Sequence, residues 1–130
     1  MRFYTYGKKE NPVILLLPGT CCHWKKNFEG VIPYLEKEYY VVCVSYDGFD
    51  EQEDTLFVDM ITETQKIEDY VKVNFNGTIF AAYGCSMGGS FVGLLVQSKR
   101  YILLGVGSIG GRNAHRSESQ NKDVCDEVDF

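Results

Sequence analysis

The pentapeptide GCSMG, centred on Ser86, carries the clearest chemical signal in this sequence. It matches the pattern G-x-S-x-G, with Gly84 and Gly88 two positions from the serine on either side. A strand-like apolar segment (78–82) precedes it, and a helix-like segment (90–96) follows it at once. A serine on such a sharp strand-to-helix turn projects from the end of a sheet, where its hydroxyl can attack a carbonyl carbon. The glycines agree with this prediction, because a tight turn leaves little room for side chains beside the serine.

Five apolar segments are the predicted strands that support this turn. They are residues 3–6, 13–17, 39–46, 78–83 and 101–106. Continuous apolar runs such as 13–17 are typical of strands that are covered on both faces.

Three segments with a helical spacing of apolar residues lie between these strands: 27–37, 57–71 and 90–97. Asp54 or Thr55 is the predicted N-cap of the second helix, and Asn76 with Gly77 follows its end. Strands that alternate with helices over short connections indicate a mainly parallel sheet with helices on both faces. The predicted fold is therefore a three-layer α/β/α sandwich.

Composition narrows the functional class. The 130 residues fit one domain, and 45% hydrophobic residues are typical of a globular protein. A net charge of −5 gives no basic surface for nucleic acid or for an anionic membrane. The longest apolar run is too short to cross a bilayer, and residues 1–7 lack the apolar core of a signal peptide. Five cysteines without a C-x-x-C pair favour free thiols in a reducing cytoplasm.

The last part of the chain differs in character from the rest. Residues 109–130 are mainly glycine, polar or charged, and they show neither a helical nor a strand period. We therefore expect a domain over residues 1–108 and a polar, poorly ordered tail over 109–130.

Three sequence blocks, in this order, resemble the N-terminal half of the α/β-hydrolase fold. They are LLLPG at 15–19, VSYDGF at 44–49 and GCSMGG at 84–89. The resemblance covers residues 1–108. It implies a hydrolase core that is truncated after the strand at 101–106, which follows the helix directly after Ser86. It also implies that Ser86 is the nucleophile of a serine hydrolase of esterase, lipase or thioesterase type, acting on a small acyl substrate without a cofactor or metal.

The resemblance further implies an oxyanion hole made of two backbone N–H groups. By position these belong to Met87, directly after the serine, and to Thr20 in the loop after the second strand. Pro18–Gly19 replaces the common His-Gly of that loop, a conservative change because only a backbone donor is required.

The other two members of a catalytic triad are harder to place. His23 precedes the serine, whereas the family order is serine, acid, histidine. His115 is the only histidine after Ser86 and is the remaining candidate base, although its unpatterned polar segment favours an exposed tail histidine. The tail carboxylates Asp123, Asp126 and Asp129 have no better claim to the acid position.

Acidic residues cluster after the third predicted strand and could suggest a metal site. They are Asp47, Asp50, Glu51, Glu53 and Asp54. Because a second set of ligands is missing from the sequence pattern, a solvated loop that favours the next helix N-terminus is the better interpretation.

Two further functional classes remain as alternatives to a self-sufficient hydrolase. One is a truncated, catalytically incompetent hydrolase fragment that serves as a binding or interaction domain, whose exposed sheet edge would promote self-association. The other is a flavodoxin-like or nucleotide-binding module, for which the sequence supplies neither G-x-G-x-x-G nor a P-loop.

Overall fold

The computed structural model describes residues 1–20, 24–98, 102–103 and 106–109, with side chains described up to residue 98. Its strands are β1 (Arg2–Tyr6), β2 (Val13–Leu17), β3 (Tyr40–Ser45), β4 (Thr78–Ile79), β5 (Ala81–Cys85), β6 (Ile102–Leu103) and β7 (Val106–Ile109). Its helices are α1 (Trp24–Phe28), α2 (Ile32–Leu35), α3 (Met60–Phe75) and α4 (Met87–Ser98). Within these residues, no helix combines the length and apolar character needed to cross a bilayer.

Five of the strands form one sheet in the order β1-β3-β2-β5-β7. β1 runs antiparallel to β3, and the other three pairings are parallel. β4 and β6 form a separate parallel pair. The prediction of a mainly parallel sheet is therefore confirmed, and β2 lies at its centre between β3 and β5.

Helices cover both faces of this sheet. On one face, Leu15 and Leu17 of β2 belong to a buried cluster with residues of α3 and α4. On the other, Ile14 and Leu16 pack with Trp24 and other residues of α1 and α2. Successive side chains of a strand point to opposite faces, so a strand covered on both sides has no polar position. Burial on both faces therefore explains why all five residues of the VILLL run are apolar, and the prediction of a three-layer sandwich is confirmed.

The predicted helix over 27–37 is wrong in its extent. Two short helices, α1 and α2, replace it, and a turn at residues 29–31 separates them. Pro33 lies in the first turn of α2, where its missing N–H costs no helical hydrogen bond.

The predicted start of the long helix is also wrong. The N-cap of α3 is Asp59, whose side chain accepts a hydrogen bond from the Thr62 amide at 2.7 Å. Residues 53–59 form no helix, and in this segment Phe57 stacks on Phe49 at a ring-centroid distance of 5.6 Å. The predicted end is confirmed, because Asn76 adopts a left-handed conformation with φ 57° directly after the helix.

Two predicted strands are each divided in the structure. The segment 78–83 becomes β4 and β5, interrupted at Phe80, whose amide donates to the Val13 carbonyl at 2.9 Å. The segment 101–106 becomes β6 and β7, and β7 extends to Ile109. Residues 110–130 lie outside the described residues, so the proposed tail and its boundary at 108 stay predictions.

Candidate active site

Ser86 occupies a sharp turn between β5 and α4. It is exposed at the carboxyl end of β5, and its φ of +53° lies in the left-handed region. That region costs a residue with a Cβ about 1–2 kcal/mol. Among the described residues, only Asn76 shares this conformation without being glycine. The strained turn predicted for Ser86 is therefore confirmed, while its role as a nucleophile stays a prediction.

The glycines on either side of Ser86 are required by close backbone contacts. A Cβ on Gly84 would lie 2.1 Å from the carbonyl oxygen of Gly88. A Cβ on Gly88 would lie 2.0 Å from the carbonyl oxygen of Leu17 in β2. Both contacts are with backbone, which cannot rotate away as a side chain can. The turn thus brings the start of α4 directly onto the end of β2.

The loop after β2 lies against this turn. A Cβ built on Gly19 would be 3.5 Å from the Cβ of Ser86. Thr20 follows Gly19 and is exposed, as Ser86 is. Met87 begins α4, so its N–H is one of the first four of the helix, which have no partner within it. The two backbone segments proposed for the oxyanion hole therefore lie beside Ser86.

The part of the chain that the structure describes contains no histidine that could pair with Ser86. The sequence holds two histidines, His23 and His115, and both lie outside the described residues. The tail carboxylates Asp123, Asp126 and Asp129 lie outside them as well. The base and the acid consequently stay predictions.

No family model and no curated protein matches this chain. Solved structures do, and a candidate α/β-hydrolase family protein from Desulfitobacterium hafniense superimposes with a TM-score of 0.80 at 18% identity. This chain has the α/β-hydrolase fold. The match covers 92% of this chain and 49% of that protein, so the chain spans about half the length of this neighbour.

Two further structures with this fold differ in their chemistry. A carboxylesterase of Nitrososphaera gargenis matches with a TM-score of 0.71 and 11% identity, over 94% of this chain and 45% of that one. The enzyme 1H-3-hydroxy-4-oxoquinoline 2,4-dioxygenase matches with a TM-score of 0.65 and 22% identity, over 74% and 36%. The α/β-hydrolase fold is thus common to a hydrolase and a dioxygenase, and the reaction has to be argued from the site.

The acidic segment at the carboxyl end of β3 is solvated only in part: Glu51 and Asp54 are exposed as predicted, whereas Asp47 and Asp50 are buried. Asp47 is 2% exposed and Asp50 is 5% exposed. Asp47 forms ion pairs with the Met1 ammonium and with Lys66. Asp50 accepts a hydrogen bond from the Tyr4 hydroxyl at 2.6 Å. The prediction was wrong for these two residues because β1 and α3 bring partners that local sequence does not reveal.

Glu63 in α3 adds a further buried carboxyl beside Asp47. Its side chain is fully buried, and its Oε2 accepts a hydrogen bond from the Asp47 amide at 3.2 Å. Burial, together with the neighbouring Asp47 carboxylate, raises the pKa of Glu63 to about 7. Burial also disfavours the charged form of Asp47, but Lys66 and the Met1 ammonium hold the Asp47 pKa well below its usual range.

The described residues show no group of three potential metal-ligating side chains.

Two residues beside the candidate site escaped the sequence analysis. The Tyr46 hydroxyl donates to the Pro18 carbonyl at 2.9 Å, and the Gly19 amide donates to Asn27 Oδ1 at 2.9 Å. In the sequence, Tyr46 belongs to the VSYDGF block and Asn27 to a predicted helix, and neither pattern indicates a role in the site. Both bonds join distant elements, so no local pattern indicates them.

Proposed function

We propose that this chain carries the nucleophile and the oxyanion hole of a serine hydrolase that acts on a small ester or other acyl compound. The observation that carries the proposal is the left-handed φ of Ser86 between two glycines that admit no Cβ. A non-glycine residue is held in such a conformation only where its surroundings enforce it, and such residues cluster at functional sites. The hydrolase fold adds a precedent for an exposed serine at this turn.

The proposed reaction begins with attack of Ser86 Oγ on the acyl carbonyl. The N–H groups of Thr20 and Met87 stabilise the oxyanion, and preorganised donors of this kind contribute about 3 kcal/mol each to the transition state. A base takes the serine proton and passes it to the leaving group, and His115 is the candidate for this role. Water then attacks the acyl-enzyme. The base takes a proton from this water and returns it to Ser86 Oγ, which releases the acid product.

A second candidate function is that of a catalytically incompetent hydrolase fragment acting as a binding or interaction domain. The described part of the chain contains no histidine, so it offers no imidazole to activate Ser86. β7 also lies at the margin of the sheet among the described strands. An open edge of this kind favours pairing with another chain, and self-association is part of this second proposal.

Ester turnover distinguishes the two candidates. With p-nitrophenyl acetate we expect slow turnover by residues 1–130, abolished in Ser86→Ala and retained in Ser98→Ala, a serine at the far end of the same helix. Loss of activity in His115→Ala would identify His115 as the base. Equal turnover in Ser86→Ala would refute the nucleophile, and no turnover in any folded variant would favour the binding domain.

A further inference from the structure

One peptide group in the loop after β2 is held from two sides. The Tyr46 hydroxyl donates to the carbonyl oxygen of Pro18, and Asn27 Oδ1 accepts from the amide of Gly19, both at 2.9 Å. This carbonyl and this amide belong to the same planar unit, the Pro18–Gly19 peptide. The described chain contains no cis peptide, so the two groups point in opposite directions and the two hydrogen bonds fix the plane between them.

The side chain on the carbonyl side is rigid. Tyr46 is fully buried, and its ring stacks on Phe91 of α4 with centroids 4.6 Å apart. Burial raises the pKa of the Tyr46 hydroxyl well above its usual value, with a contribution from Glu63, so the hydroxyl stays protonated and remains a donor. Because Phe91 lies on the helix that follows Ser86, Tyr46 also connects this loop to the turn at residues 84–88, hereafter the elbow.

The side chain on the amide side comes from a different layer. Asn27 belongs to α1, which packs on the opposite face of the sheet from α4. It holds the amide of Gly19, the residue in this loop with the greatest backbone freedom. Rotation of the Pro18–Gly19 peptide would change the direction of the next amide, that of Thr20. Two layers of the sandwich therefore control one backbone orientation beside Ser86.

We propose that Tyr46 and Asn27 are positioning residues that clamp the Pro18–Gly19 peptide and so aim the Thr20 N–H at the oxyanion formed on Ser86. The inference rests on the proposed function, to which it adds the origin of the preorganised oxyanion hole. A misplacement of about 1 Å in such a site can cost on the order of 100-fold in rate, so the orientation of this one peptide matters.

The clamp itself is tested by amide hydrogen exchange, observed by ¹⁵N NMR on the full chain. Asn27→Leu removes the acceptor at similar volume, whereas Asn27→Asp keeps it. We expect exchange of the Gly19 amide to accelerate at least about tenfold in Asn27→Leu and to stay slow in Asn27→Asp, since the hydrogen bond that this amide donates must open before exchange. Asn74→Leu is the control, because Asn74 is an exposed residue of α3 that donates to the Tyr70 carbonyl. Unchanged Gly19 exchange in Asn27→Leu would overturn the clamp.

The consequence for the site is tested by the rate at which a fluorophosphonate modifies Ser86. We expect this rate to fall about tenfold in Tyr46→Phe and in Asn27→Leu, with both proteins folded and Asn74→Leu unaffected. An unchanged rate in a variant whose Gly19 exchange has accelerated would overturn the aiming role. If the proposed function is wrong, the fluorophosphonate will not modify the wild type at all. That result would overturn the aiming role as well. The exchange experiment would still decide whether Asn27 holds the Gly19 amide.

Discussion

At the scale of single residues, the candidate site depends on backbone conformation more than on side-chain chemistry. Ser86 is held at φ +53°, and Gly84 and Gly88 leave no space for a Cβ. The motif allowed all three residues to be located from sequence, because a G-x-S-x-G pattern reports steric demands within five residues. Tyr46 and Asn27 could not be found in this way, since their partners are 28 and 8 positions distant and depend on the assembled sheet.

Replacing Ser86 should reveal the strain at the turn. Ser86→Gly is expected to be more stable than Ser86→Ala by about 0.5–1 kcal/mol. Glycine adopts the left-handed conformation without the steric penalty of a Cβ. The greater conformational entropy of glycine in the unfolded chain offsets only part of this gain. Chemical denaturation of both variants measures the difference. At Ser90, in the helical part of α4, the same pair should show the opposite order, with glycine less stable by about 1 kcal/mol. The same order at both positions would contradict strain at Ser86.

The close contact between α4 and β2 predicts a second, larger effect. Gly88→Ala would force a Cβ to within 2.0 Å of the Leu17 carbonyl oxygen, so the elbow or the strand must move. We expect a loss of about 3 kcal/mol or more in unfolding free energy. Gly30→Ala is the control, because a Cβ at Gly30 meets no atom within 4 Å. Equal stability of the two variants in urea denaturation would contradict the close contact between Gly88 and the Leu17 carbonyl oxygen.

At the scale of elements, the sequence predicted the type and order of the segments better than their limits. The apolar runs of β2 and β3 were correct because burial on both faces leaves no polar position to mislead the interpretation. The predicted start of α3 was wrong because Phe57 fits the helical spacing but packs against Phe49 from a segment that is not helical. Residue type favoured Asp54 or Thr55 as the N-cap, but it favours Asp59 equally, so residue type alone could not locate the start of the helix.

The N-cap of α3 gives a prediction at this scale. Asp59→Ala removes the acceptor for the Thr62 amide and should lower the thermal midpoint of the chain. Asp69→Ala, an exposed position within the same helix, should have little effect. The hydrogen bond from Thr62 also lowers the pKa of Asp59, so the stabilisation by the cap should disappear in acid as Asp59 becomes protonated. Thermal scans of the three proteins above and below pH 4 check both effects, and equal midpoints for the two variants at neutral pH would contradict the cap.

At the scale of the whole molecule, elements distant in sequence meet at the carboxyl edge of the sheet. The loop after β2, the end of β3 and the elbow after β5 all lie there, as expected for ligand sites in open α/β sheets. The charged cluster of Asp47, Glu63 and Lys66 holds this edge to α3. The sequence predicted that the acidic residues lie on a loop, but it could not show that β1 and α3 would supply partners that bury Asp47 and Asp50.

The pH dependence of stability should report on Glu63. Its pKa rises from about 4.5 in the unfolded chain to about 7 in the folded one, so the stability gained from its protonation is full below pH 4.5 and is lost as the pH rises through 7. Asp47 acts in the opposite direction, because its pKa is lowered and its contribution is lost only in acid. Glu63→Gln should therefore flatten the decline in stability between about pH 4.5 and pH 7, whereas Glu38→Gln at an exposed position should not. An equal slope in wild type and Glu63→Gln would contradict a raised pKa.

The central claim, that Ser86 is an activated nucleophile, is tested most directly by locating the adduct of a fluorophosphonate. The folded chain is treated with the probe, digested and mapped by tandem mass spectrometry, with Ser86→Ala and Ser98→Ala treated alongside. We predict a single phosphonate on Ser86 in the wild type and in Ser98→Ala, and no adduct in Ser86→Ala. An adduct on another residue, or none on the folded wild type, would contradict the claim.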